Sequence, residues 1–182
     1  MSVNKEVLRK YKKNILIETG TYMGMTTKGA IEELGYEKVY TIELQDYLYQ
    51  ISLGNLSHLI TENKVVAIKG NSNEKLGEIL AEINEPVTIL LDAHIDGGNF
   101  VPNVTPDVNW CPLYEELEII KNHHIKTHTI LVDDVRIIGK IGWGSNVFIE
   151  RIINMIKEIN PGYQITYEEG ETPEDVLVAN IN

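Results

Sequence analysis

Five short apolar runs separated by segments of helical periodicity constrain this chain more than any other feature. The runs are ILI at residues 15–17, VYTIEL at 39–44, VVAI at 65–68, VTILL at 87–91 and THTILV at 127–132. Short, nearly continuous apolar runs suit strands buried on both faces. Between them, stretches such as NEKLGEILAEI at 73–83 and CPLYEELEIIKN at 111–122 repeat apolar residues at helical spacing. Strands alternating with helices make a parallel sheet with helices on both faces, and crossover handedness makes it doubly wound. The tail differs in kind. YQITYEEGETPEDVLVANI, residues 163–181, reads as two strands around a short turn, a terminal antiparallel hairpin. The expectation is an α/β fold with a mostly parallel, seven-stranded sheet.

With 182 residues and 43% hydrophobic content, the chain can fill one sizeable core, so residues 1–182 read as a single domain. Residues 1–13 read as an N-terminal helix. Residues 95–111, IDGGNFVPNVTPDVNWC, have no periodicity and read as a long substrate or lid loop. A formal charge of -11 argues against a nucleic-acid partner, which needs clustered Lys and Arg. Cys111 is the only cysteine, so no intrachain disulfide can form, and a cytoplasmic location is the default expectation. No stretch reaches the length of a membrane span, and no apolar leader segment follows the charged first residues.

In a doubly wound sheet, ligands bind beyond the carboxyl ends of the strands. Glu18, Glu43, Ser72, Asp92, His94, Asp133 and Asp134 all fall there. The first such end is ETGTYMGMT, in which Gly20 and Gly24 bracket a turn and Thr26 opens a helix. Glycines let backbone approach a ligand closely, and the helix N-terminus faces it. A dinucleotide fingerprint would need G-x-G-x-x-G, and Glu18 would repel a pyrophosphate. S-adenosylmethionine carries a sulfonium and an ammonium group and no phosphate, so it suits an acidic glycine turn. Glu43 is placed to accept hydrogen bonds from ribose hydroxyls.

LDAH ends the fourth run and VDD the fifth. Neighbouring strand ends lie about 5 Å apart, so Asp92, Asp133 and Asp134 can converge, and their mutual repulsion calls for a cation. Oxygen donors select Mg²⁺, with Ca²⁺ or Mn²⁺ as alternatives. The plain alternative is one capping and one solvated aspartate. His94, two residues after Asp92, is the candidate general base, or else a hydrogen-bonded histidine at a strand end. Trp110, Arg136 and Trp143 are candidate acceptor-binding residues. His123, His124 and His128 fall at the sheet's amino end and read as a solvated helix terminus.

ETGTYMGMT resembles the first motif of class I S-adenosylmethionine-dependent methyltransferases, in the E-x-G-x-Y-x-G form of their small metal-dependent O-methyltransferases. The resemblance implies a Rossmann-like methyltransferase fold. It implies Glu18, Gly20, Tyr22, Gly24 and Thr26 around the methionine moiety, Glu43 at the ribose, and Asn71 and Ser72 at the adenine. Asp92, with Asp133 and Asp134, resembles the metal site of the macrolide-sugar methyltransferases, the macrocin type, and of their catechol and caffeoyl-CoA relatives, and Asp92 borders the cofactor as well. The catechol type has a lysine three residues after the first metal aspartate, where this chain has Ile95. That departure, and the shorter N-terminal region, favour a sugar hydroxyl as the small-molecule acceptor, with a phenol or catechol as the alternative. A site so open allows for a homodimer whose neighbour completes the pocket. A cofactor-binding module without catalysis is the rival of a different class.

Overall fold

The computed structural model describes residues 4–95, 111–140 and 142–181, without the side chain of Trp143. The lid-loop reading therefore falls almost wholly outside the described residues, and Trp110 with it. Five strands follow the apolar runs: β1 (Ile15–Thr19), β2 (Lys38–Glu43), β3 (Val65–Lys69), β4 (Thr88–Leu91) and β5 (Thr129–Val132). The helices are α1 (Lys5–Lys10), α2 (Met25–Glu32), α3 (Asp46–Thr61), α4 (Ser72–Leu80), α5 (Leu113–Asn122) and α6 (Ile149–Ile159), with a 3-10 helix at Gly142–Asn146. The tail forms β6 (Gln164–Glu168) and β7 (Val176–Asn180).

The seven strands make one sheet in the order β3-β2-β1-β4-β5-β7-β6. β1 to β5 run parallel, and β7 inserts antiparallel between β5 and β6. The order reverses beside β1, where successive crossovers leave in opposite directions and open a crevice at the strand ends. The register sets Glu18 between Thr41 of β2 and Leu90 of β4, and Leu91 beside Val132.

Alternation along each strand divides the core in two. Ile17, Ile89 and Ile130 pack with Leu76, Ile79, Leu117, Ile120, Ile152 and Ile156, which come from α4, α5 and α6. Leu16, Val39, Leu90 and Leu131 pack with Val7, Leu8, Ala30, Ile31, Leu56 and Leu59 from α1, α2 and α3. The glycine turn and α2 therefore lie toward one face and α4 and α5 toward the other. Among the described residues, no helix is long and apolar enough to cross a membrane.

Candidate active site

The turn after β1 is held from below. Glu18 is buried, and its Oε2 accepts from Thr27 Oγ1 at 2.5 Å and Thr41 Oγ1 at 2.7 Å, while Thr21 and Thr41 share a hydroxyl hydrogen bond of 2.6 Å. Burial raises the Glu18 carboxyl to about 7, and the threonine hydroxyls oppose the rise. Gly20 has φ +85, and a Cβ there would stand 2.5 Å from the Asp92 carbonyl oxygen. Only glycine fits, because both the dihedral and the approach of β4's backbone exclude a side chain. Gly24 caps α2 in the left-handed conformation against Leu56. Tyr22, also at positive φ, donates its backbone N–H to Glu43 Oε2 at 2.8 Å, and Gln45 N–H donates to Glu43 Oε1 at 2.7 Å. Glu43 is thereby fixed at the end of β2 beside the turn. Burial raises its pKa, and the two backbone donors oppose the shift.

Asn71 caps α4 by accepting from Asn73 N–H, and Ser72 is buried at the first position of that helix. Thr26 is buried in the first turn of α2. The residues the sequence assigned to one cofactor thus gather around the ends of β1, β2 and β3. Glu18 serves the turn as a buried anchor as well.

The second cluster sits one strand away. His94 Nδ1 lies 3.7 Å from Asp92 Oδ1, and its Nε2 lies 3.7 Å from Asp134 Oδ2. Ligand atoms of Asp92, His94 and Asp134 all fall within 4.8 Å of one another, and those of Asp133, Asp134 and Asp175 do so separately. Asp134 stands at φ 59, with its backbone N–H donated to Asp133 Oδ1 at 2.9 Å. Arg136 is placed in this network: NH1 bonds both Asp134 Oδ1 and Asp175 Oδ2, and NH2 pairs with Glu171 at 2.7 Å. An internal cation therefore neutralises much of the Asp134 and Asp175 charge. The Asp92–His94–Asp134 group offers two carboxylates and an imidazole nitrogen, a donor set that fits a divalent ion.

Two buried acids here escaped the sequence reading. Asp175, at the start of β7, looks like any turn residue in the sequence, and its partner Arg136 is 39 residues away. Glu116 on α5 is 1% exposed, and neither carboxylate oxygen has a hydrogen-bond partner among the described residues. It lines a cavity of about 10 Å³ together with Asp92, Ala93, His94, Cys111 and Asp133, room for about one water molecule. Burial raises its carboxyl to about 7; the Ser72 and Thr19 hydroxyls face it and oppose the rise, yet neither completes a hydrogen bond. The signal was present: Glu116 shares the helical stripe of Leu113 and Ile120, a face otherwise apolar.

At the amino end of the sheet the histidine reading needs correction. His123 and His128 are buried, with His123 Nδ1 and His128 Nε2 2.9 Å apart. Val87 N–H donates to His128 Nδ1, so the His128 proton lies on Nε2 and points at His123. This is a neutral, packed pair and not a solvated terminus; only His124 is exposed. Desolvation lowers the His128 pKa to about 4 and lowers that of His123.

No protein-family model matches the chain, and no curated protein matches it. Among solved structures, a candidate caffeoyl-CoA O-methyltransferase from Staphylococcus aureus aligns over 98% of this chain and 80% of that one, with TM-score 0.60 and 19% identity. A candidate rRNA methylase from Clostridium thermocellum covers 96% and 93%, with TM-score 0.64 and 14% identity. An O-methyltransferase from Bacillus cereus in complex with SAH covers 98% and 78%, with TM-score 0.61 and 17% identity. The chain has the Rossmann-like fold of class I S-adenosylmethionine-dependent methyltransferases. Two of these neighbours are named for different substrates, caffeoyl-CoA and rRNA, so the likeness carries the fold and leaves the acceptor to the site.

Proposed function

We propose that the protein is an S-adenosylmethionine-dependent O-methyltransferase that acts on a hydroxyl of a sugar or glycosylated small molecule with the help of a divalent cation. The observation that carries this reading is the juxtaposition of two clusters at neighbouring strand ends. The glycine turn, pinned to Glu43, forms a nucleoside cradle, and the Asp92–His94–Asp134 group lies one strand away. The B. cereus neighbour with bound SAH supports the cofactor assignment.

In this reading the glycine turn and the N-terminus of α2 receive the amino-acid end of the cofactor. Glu43 keeps lone pairs for two ribose hydroxyls while its backbone donors hold it still. The acceptor oxygen attacks the methyl carbon in line with sulfur; the C–O bond forms, the S–C bond breaks, and its electron pair neutralises the sulfonium. Positioning is the main contribution, since charge is neutralised in the step. Asp92, Asp134 and His94 would hold Mg²⁺ or Mn²⁺, which when bound aligns vicinal oxygens and makes a hydroxyl more acidic. His94 faces both carboxylates, so it serves as third donor or as acceptor of the hydroxyl proton. Ile95, in the place of a lysine, keeps the sugar acceptor ahead of a catechol.

The test is methyl transfer from labelled cofactor to a panel of vicinal sugar diols and catechols, with and without a chelator. Divalent-dependent transfer to a sugar, lost in Asp92→Asn while SAH still binds, is the expected result. Cofactor binding without transfer to any acceptor would replace the enzyme with a binding module. Equal turnover by Asp92→Asn and the parent would remove the metal role.

A further inference from the structure

Glu116 is a buried acid that the proposed chemistry does not use. It sits beside Thr19 at the end of β1 and Ser72 at the start of α4, and it lines the same cavity as Ala93. A carboxyl sequestered with neither oxygen hydrogen-bonded among the described residues is costly, and such a group calls for a donor that arrives with a ligand. The fold says which part of a ligand arrives. The glycine turn and α2 lie toward one face of the sheet, Glu43 stands at the end of β2, and α4 and α5 cover the other face. A nucleoside cofactor with its amino-acid end at the turn and its ribose at Glu43 carries its base to the α4–α5 side. Ser72, Ala93 and Glu116 converge there.

We infer that Glu116 is the residue that reads the cofactor's base, its carboxyl accepting the exocyclic amine of adenine. The inference rests on the S-adenosylmethionine reading and adds to it the group that distinguishes adenine from other bases. Once ionised, above pH 7, the carboxylate offers acceptors alone, so hypoxanthine, with a carbonyl in place of the amine, sets an acceptor against it and is rejected. A buried acceptor of this kind discriminates strongly, because the wrong ligand leaves it unpaired.

The test is calorimetric titration of the full chain, at about pH 8.5 where the carboxylate is ionised, with SAH and with its deaminated analogue, S-inosylhomocysteine. The parent should bind SAH about tenfold or more tightly than the analogue. Glu116→Gln has both an acceptor and a donor and can pair with either base by turning its amide. It should hold SAH within about threefold of the parent and bind the analogue nearly as well, a relaxation that a purely structural role does not produce. Glu116→Ala should weaken SAH by about tenfold, with thermal unfolding confirming that it is folded. SAH binding in the parent with equal discrimination in all three proteins overturns the Glu116 assignment and leaves the cofactor reading intact. No SAH binding by the folded parent overturns both.

Discussion

The two ends of the sheet each gather titratable side chains, and they treat them in opposite ways. At the amino end, His123 and His128 exchange a hydrogen bond, and the Val87 amide takes the remaining nitrogen of His128. Burial keeps the pair neutral. At the carboxyl end, His94 stands within ion-pair distance of both Asp92 and Asp134, and neither Glu116 oxygen has a hydrogen-bond partner among the described residues. Two clusters of similar composition are thus told apart by what they present: a buried histidine pair hydrogen-bonded to itself at the amino end, and ligand atoms of Asp92, His94 and Asp134 converging within 4.8 Å at the carboxyl end. The converging group lies at the end where the fold also opens its crevice, the end on which the proposed function draws.

The largest effect is expected from Arg136, which supplies the carboxyl end with its internal counter-charge. Arg136→Met leaves the buried Asp134 and Asp175 without it and should cost about 4 kcal/mol of unfolding free energy in a denaturant titration. A loss below about 1 kcal/mol would mean that the acids are neutralised in another way. Next comes Gly20→Ala, which drives a methyl into the Asp92 carbonyl at positive φ; about 3 kcal/mol of stability and cofactor binding should go together. Gly54→Ala, a helical glycine with open space around it, is the control and should stabilise by about 0.5–1 kcal/mol.

The contrast between the ends also has a pH signature. His128 titrates near 6.5 when unfolded and about 4 when folded, so between those values the unfolded chain binds the extra proton. Its contribution is complete above pH 6.5 and lost as pH falls toward 4, by about 3 kcal/mol at most. His128→Asn, whose amide oxygen can still accept from Val87, should flatten that slope in unfolding curves from pH 4 to 7. Glu18 and Glu116 act with the opposite sign. Their folded values of about 7 lie above the ordinary 4.5, so the folded state holds protons that the unfolded state releases, and stability falls as pH rises from 4.5 through 7. Glu116→Gln should therefore gain about 1 kcal/mol above pH 7, a modest figure because the amide is itself left unpaired without ligand. A variant no more stable than the parent at pH 8 would mean that Glu116 is charged there at no cost.

Much of the carboxyl end was legible in the sequence, for a physical reason. Strands buried on both faces leave continuous apolar runs, and a carboxylate or glycine that interrupts such a run at its end marks a ligand-facing position. Glu18, Glu43, Asp92 and the Asp133–Asp134 pair were placed at the strand ends in that way. The terminal hairpin was legible from its turn residues, whereas the 3-10 helix after β5 left no periodic trace. Contacts distant in sequence were not legible. Arg136 was read as an acceptor-binding residue, and nothing local indicated that Asp175 waits for it across the hairpin. The histidines failed for a related reason: a helix terminus before a strand suits solvated imidazoles, and only the packed positions of Val87 and Tyr163 show that His128 is enclosed. Glu116 was legible from its place among Leu113, Leu117 and Ile120 on the apolar face of α5, and was passed over because a glutamate in a helix is usually solvated.

The central claim is that the Gly20–Gly24 turn and Glu43 form a nucleoside cradle, and calorimetry of S-adenosylmethionine binding tests it most directly. The account predicts binding to the parent and a loss of tenfold or more, about 1.4 kcal/mol, in a folded Glu43→Ala variant. Equal affinity in the two proteins, or no binding to the parent with and without Mg²⁺, would contradict it.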